Sequence, residues 1–173
     1  SGYLPLSALL VGQRIWNVIE AASKDSRVFA HGFTYSGHPV CAAAAMANLN
    51  IIERESLVLR VAQIAPAFLE LIRNELSNCS IIGDIRGAGL MVGIEIVADR
   101  AQKKAFAAEL KAAAKIALAA REEGVLVRAL PNSDVIALSP PFCATDSELE
   151  QIVARLAKAI GLITEKYQAD GMV

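Results

Sequence analysis

The chain has 173 residues, 54% hydrophobic and 20% charged, with a formal net charge of -1. That composition builds a core, which excludes a disordered polypeptide, and it gives no basic patch on which nucleic acid would bind. The longest apolar run, around Pro39–Ala47, is about half of the roughly 20 residues that a spanning helix needs, so no membrane segment is expected.

The first element is an apolar run, Leu4–Val11, followed by Gly12. It fits a buried strand better than a helix, although periodicity alone does not decide. It carries no initiator methionine and no basic region ahead of its apolar stretch. A signal peptide is therefore not expected. A run of this kind resembles an interior strand of a larger sheet, and the expectation is a chain cut from something longer.

Residues 13–22, with Ile15, Trp16, Val18 and Ile19, read as a short helix that "SKDS" at 23–26 breaks. The segment "HGFTYSGHP" (31–39) follows. From Pro39 to about Arg54 the chain is strongly helix-forming. Proline suits the first turn, and alanine at 42–45 and 47 has the best intrinsic propensity.

Ser56 is placed to cap a further helix. Its apolar stripe is Val61, Ala65, Phe68, Ile72 and Leu76, and Pro66 inside it predicts a kink or a break. "SIIGDIRGAGLMVGIEIV" (80–97) alternates apolar and polar residues between glycines. It predicts two short strands with a glycine-dependent turn or bulge. Residues 101–122 read as a helix stopped by Gly124.

"VLVRAL" (125–130) and "DVIALSPPF" (134–142) read as strands joined by the turn residues "PNS". "TDSE" (145–148) is a capping box. The helix it starts carries Leu149, Ile152, Val153, Leu156, Ile160 and Ile163 on one face. Residues 1–52 thus look like the end of an α/β unit. Residues 53–173 look like an α+β domain with a small sheet covered by helices.

Four chemistries compete for "HGFTYSGHP". His31 and His38 are seven apart, with no carboxylate or cysteine between them, which is a poor metal pair. Ser36 lacks the flanking glycines of a nucleophile elbow. An anion cradle is better supported: Gly32 and Gly37 free the backbone, Thr34, Tyr35 and Ser36 bring hydroxyls, and a helix N-terminus follows. A purely structural loop stays open as the fourth reading.

Arg128 lies among Leu126, Val127, Ala129 and Leu130. A guanidinium there pairs best with a carboxylate, and either an internal salt bridge or a solvent-facing position would also account for it. Arg86 reads as structural, pinned beside Asp84 and the glycine turn. Cys41, Cys79 and Cys143 are odd in number, widely spaced and without a C-x-x-C. They predict buried free thiols in a reducing cytoplasm rather than disulfides or zinc.

Four stretches occur in order and at familiar spacings: "SGYLPLSALLVG", "HGFTYSGHPVCAAAA", "IRGAGLMVGIEI" and "VRAL…VIALSPPF". Together they resemble the C-terminal part of class III aminotransferases, fold-type I enzymes that use pyridoxal 5'-phosphate (PLP). The omega-transaminases look nearest. The resemblance spans almost the whole chain, and "HGFTYSGHP" is its most specific piece.

The resemblance implies that residues 1–52 are the end of a PLP-binding large domain. Residues 53–173 would then be a small C-terminal domain with a short, mainly antiparallel sheet. It implies transfer of an amino group from an amine or amino acid to a keto acid such as pyruvate, in a cytoplasmic homodimer or higher oligomer.

By position, Thr34 resembles the residue that binds the cofactor phosphate across the dimer interface, with Gly32 and Phe33 shaping that cradle. Arg128 resembles the mobile arginine that pairs with a substrate carboxylate. No catalytic residue is assigned: the Schiff-base lysine of the family lies ahead of the position of Ser1, and Lys24, Lys103 and Lys104 match no such position. The expectation is that this polypeptide alone is inert. Other readings are an aminomutase or decarboxylase of the same family, or a non-catalytic dimerisation module.

Overall fold

A computed structural model describes residues 2–25 and 27–173. Ser1, at the head of the first matched stretch, and Ser26, the last residue of the predicted helix break, lie outside the described residues. The chain divides into two compact units, Ser1–Glu55 and Ser56–Val173.

The first unit holds helices α1 (Gln13–Lys24) and α2 (Pro39–Arg54). Leu4–Val11 does not form the expected strand. Among the described residues of this unit no other strand offers it a ladder, and a strand without a partner leaves its backbone groups unpaired. Helix α1 runs two residues past the predicted stop, because the Ser23 hydroxyl donates to the Ile19 carbonyl at 3.0 Å instead of turning the chain. Helix α2 begins and ends where proline and alanine propensity place it. Neither helix buries a described residue within the chain.

The second unit holds a four-stranded sheet, β1 (Ile82–Ala88), β2 (Met91–Ile96), β3 (Arg128–Ala129) and β4 (Val135–Leu138), in the order β1-β2-β4-β3. Every neighbouring pair is antiparallel. The sequence alternation settles which side faces the core. Val92, Ile94 and Ile96 are buried on β2, and the first two stand opposite Leu138 and Ile136 of β4 in register. Helices α3 (Leu57–Glu75), α4 (Ala112–Glu122) and α5 (Asp146–Ala169) complete the core with Phe68, Ile72, Ile116, Leu156 and Ile160.

The β1–β2 turn needs its glycines. Gly89 has φ of 59°, and a Cβ at Gly87 would meet the Met91 carbonyl oxygen at 2.7 Å. A register shift between Ile82 and Asp84 adds a bulge at the start of β1.

Three local expectations are corrected. Of the kink or break expected at Pro66, the break does not occur: α3 runs continuously through it. The proline is exposed, as is Ala62 one turn earlier, so the carbonyl left without an N–H partner can be solvated. Ser56 occupies the N-cap position of α3 but makes no side-chain cap, because its backbone is left-handed, with φ of 51°.

The predicted helix over 101–122 forms only from Ala112. Upstream of it, the Asp99 carboxylate accepts the Gln102 N–H at 2.9 Å and Asp99 pairs with Lys104 in an isolated bridge. Lys103 and Lys111 both have positive φ, and only the short 3₁₀ turn Ala108–Leu110 intervenes. Local side-chain bonding there outcompetes the helix.

The capping box of α5 is complete: the Thr145 hydroxyl accepts the Glu148 N–H, and the Glu148 carboxylate accepts the Thr145 N–H at 2.7 Å. These bonds, from the backbone first and then the hydroxyl, hold the Glu148 carboxyl below the usual carboxylate range. The buried-thiol expectation does not hold. Cys41 and Cys79 are half-buried and Cys143 is exposed, all three free. Cys143 sits in the short segment between β4 and α5, where its neighbour Ala144 enters the core and Cys143 itself stays outside. Among the described residues no helix is long and apolar enough to cross a membrane.

Candidate functional site

The segment 31–38 folds as a tight turn ahead of α2. The Ser36 N–H donates to the Phe33 carbonyl at 2.9 Å, and the His38 N–H to the Tyr35 carbonyl at 3.2 Å. The Phe33 N–H donates to the Ser36 hydroxyl at 3.0 Å. Gly37 has φ of 70°, which lets the chain reverse into Pro39. Ser36 is thus occupied in the turn itself. The rings of Phe29, His31 and Phe33 form a ladder with centroid spacings of 5.7 and 5.5 Å, and Tyr35 lies beside His38 at 6.2 Å.

Gly32, Phe33 and Thr34 are therefore consecutive members of one exposed turn. Among the described residues, no hydrogen bond engages the Thr34 hydroxyl or the Thr34 and Tyr35 N–H groups. One hydroxyl and two amides beside a helix N-terminus are a donor set suited to a phosphate monoester, so these residues fit the phosphate end of PLP. No group of three or more His, Cys, Asp or Glu that could hold a metal ion occurs among the described residues.

Arg128 opens β3, in the second unit, at the edge of the sheet. Its side chain is exposed, and no carboxylate among the described residues pairs with it. Arg86 differs. Its guanidinium bonds both Glu95 and Asp84 at 2.8 Å, and those bonds, Glu95 first, raise its pKa. That network makes Arg86 a surface strut, as its sequence setting suggests.

Arg128 lines a cavity of about 600 Å3 with Val125, Leu126, Val127, Pro140 and Pro141. A single cation at the rim of an apolar cleft suits a small molecule with one carboxylate and an apolar body. The Pro140–Pro141 wall was not singled out from the sequence as site-forming. A proline pair straight after a strand was the available signal.

The fold has counterparts among solved transaminases. An amine transaminase from an uncultivated Pseudomonas species, solved in its PLP-bound form, superposes with a TM-score of 0.85 at 37% identity, over 93% of this chain and 36% of that one. The Aminotransferase class-III family profile matches residues 1–160, and the chain belongs to that family.

The chain is 39% identical to an uncharacterized aminotransferase, y4uB, of Sinorhizobium fredii over 171 residues, which is 99% of this chain and 37% of the relative. It is 35% identical over its whole length to a diaminobutyrate–2-oxoglutarate transaminase of Halomonas elongata, covering 37% of that protein. It thus spans little more than a third of the length of the relatives it matches.

Proposed function

We propose that this chain is the C-terminal part of a PLP-dependent aminotransferase of the omega-transaminase kind. It moves an amino group from an amine or amino acid to a keto acid such as pyruvate. The observation that carries the reading is the unengaged donor set at Thr34 and Tyr35, in a loop of this family. Residues 1–52 are read as the end of the cofactor-binding domain and 53–173 as the small domain. The meeting of the two compact units at Glu55 and Ser56 supports that division. A soluble, cytoplasmic enzyme fits three free cysteines.

Bound PLP supplies an electron sink for breaking a bond at the substrate carbon that carries the nitrogen. The chain's own residues bind and orient. The Thr34 hydroxyl and neighbouring amides would hold the phosphate, with Gly32 and Phe33 shaping the cradle. Arg128 takes the substrate carboxylate, and the apolar cleft beside it takes the remainder.

No lysine here matches the position that the family uses, so the 173 residues alone are expected to be inert. A PLP titration tests both statements. Borohydride reduction of the isolated chain with PLP should fix no cofactor on a particular lysine. In the whole protein that carries this chain, Thr34→Val should weaken PLP about tenfold, the loss of one hydrogen bond to a charged group. Specific lysine labelling, or unchanged affinity, would contradict the reading.

Association into a dimer or higher oligomer is part of the same proposal. Leu9, Leu10, Phe33 and Tyr35 are 83, 95, 76 and 81% exposed in the single chain, and large apolar side chains left in water favour association. Light scattering should give at least twice the chain mass; a clean monomer would count against it.

A further inference from the structure

Arg60, near the start of α3, is bonded to the segment that joins β4 to α5. Its Nη2 donates to the Ala144 carbonyl at 2.7 Å and to the Asp146 carboxylate at 3.1 Å. The two bonds differ in setting. The Asp146 side chain is 76% exposed, and surface pairs of that kind contribute little. The Ala144 bond is partly buried, and no backbone donor among the described residues reaches that carbonyl. A carbonyl on a buried alanine requires a partner, and Arg60 supplies it.

Ala144 carries this anchoring back along the chain. Its N–H donates to the Pro141 carbonyl at 3.0 Å, which closes the turn 141–144. On its other side the Thr145 N–H donates to the Glu148 carboxylate at 2.7 Å. The peptide that joins Ala144 to Thr145 is thus held at both ends by side chains, Arg60 and Glu148. Pro141 itself is exposed, so core packing does not fix its ring, and the turn does. Pro141 lines the 600 Å3 cavity together with Arg128, and it also lines a second cavity of about 390 Å3. The second cavity gives the ring room to withdraw once the turn is loosened.

We propose that Arg60 is a positioning residue for substrate binding: through Ala144 it holds the Pro141 wall against which the apolar body of a carboxylate-bearing substrate packs. The proposal rests on the reading of Arg128 as the carboxylate partner. It adds a residue, outside the cleft, that sets how much apolar body the cleft accepts.

Inhibition by straight-chain monocarboxylates, competing with pyruvate in the whole protein that carries this chain, tests it. Each methylene packed against a wall tightens binding by up to about fourfold, so hexanoate should inhibit at least about tenfold more strongly than acetate. Arg60→Met should cut that ratio to about threefold or less and move the acetate constant less than about twofold, because the carboxylate still meets Arg128. Asp146→Asn should leave the ratio unchanged, because the Ala144 bond remains. An inhibition constant does not depend on how much of the enzyme is folded, so a role in stability alone would not move the ratio. An unchanged ratio in Arg60→Met overturns the proposal, as does an equal loss in Asp146→Asn. Arg128→Met separates the two readings, since it should abolish inhibition by both acids. If it does not, or if neither acid inhibits the parent protein, the Arg128 reading fails and takes this one with it. Should Arg60→Met not fold, Arg60→Gln replaces it with the same expectation, because its shorter amide stops short of the carbonyl.

Discussion

Replacing Arg128 by Met, in the whole protein that carries this chain, should raise KM for carboxylate-bearing substrates about a hundredfold and leave amines without a carboxylate nearly unaffected. The guanidinium is free to take a substrate carboxylate, since no carboxylate among the described residues competes for it. Among the described residues no other cation lines its cleft, so none replaces it there. A hydrogen bond to a charged group contributes roughly 1.5–3 kcal/mol, and the upper figure is somewhat more than a hundredfold in affinity. Arg128→Lys should recover only part of the loss, because an ammonium lacks the two-pronged geometry. The deciding quantity is the ratio between the two substrate kinds. Equal losses for both would assign Arg128 a structural role, and no loss would remove it from the site.

Ile136→Ala should be the most destabilising of the changes considered, at about 2–5 kcal/mol. Ile136 has no exposed surface and sits mid-sheet on β4, with Ile94 of β2 on one side and Ala129 of β3 on the other. Truncation there removes buried methyl groups and leaves a hole that paired strands on both sides cannot close. A domain's whole stability is about 5–15 kcal/mol, so the loss is a large share of it. Leu118→Ala is the control: at 63% exposed it should shift stability by no more than about 0.5 kcal/mol. Urea unfolding reads both, as a lower midpoint with unchanged slope for Ile136→Ala and neither change for Leu118→Ala. Similar effects at the two positions would mean that the sheet centre is not the core.

How much was legible beforehand varies by element. Helix α2, the β1–β2 hairpin and the capping box of α5 were all readable, because proline at a first turn, glycine at a reversal and a Thr–Glu pair act within a few residues. The strand expected at Leu4–Val11 was not realised, because a strand is stabilised by a neighbour and composition does not supply one. The long helix expected over 101–122 shrank because Asp99 and Lys104 bond each other and buried Phe106 lies against Tyr167. Pattern counting weighs neither effect.

The site divides in the same way. Thr34 and Arg128 could be named as candidates from residue type, neighbours and family resemblance. That the Thr34 hydroxyl is unengaged, that Ser36 is consumed by the turn, and that Arg128 faces a proline-walled cleft without a carboxylate partner are tertiary facts.

By itself the sequence determined the family, the β1–β2 turn and the capping box of α5, since each is written in side chains close together along the chain. Only the tertiary structure decided the strand order β1-β2-β4-β3, the partners of each charge, and the burial of Tyr167 against Phe106. Those depend on which distant segments share one desolvated space, where a polar group must find a partner and an apolar one must fill a gap.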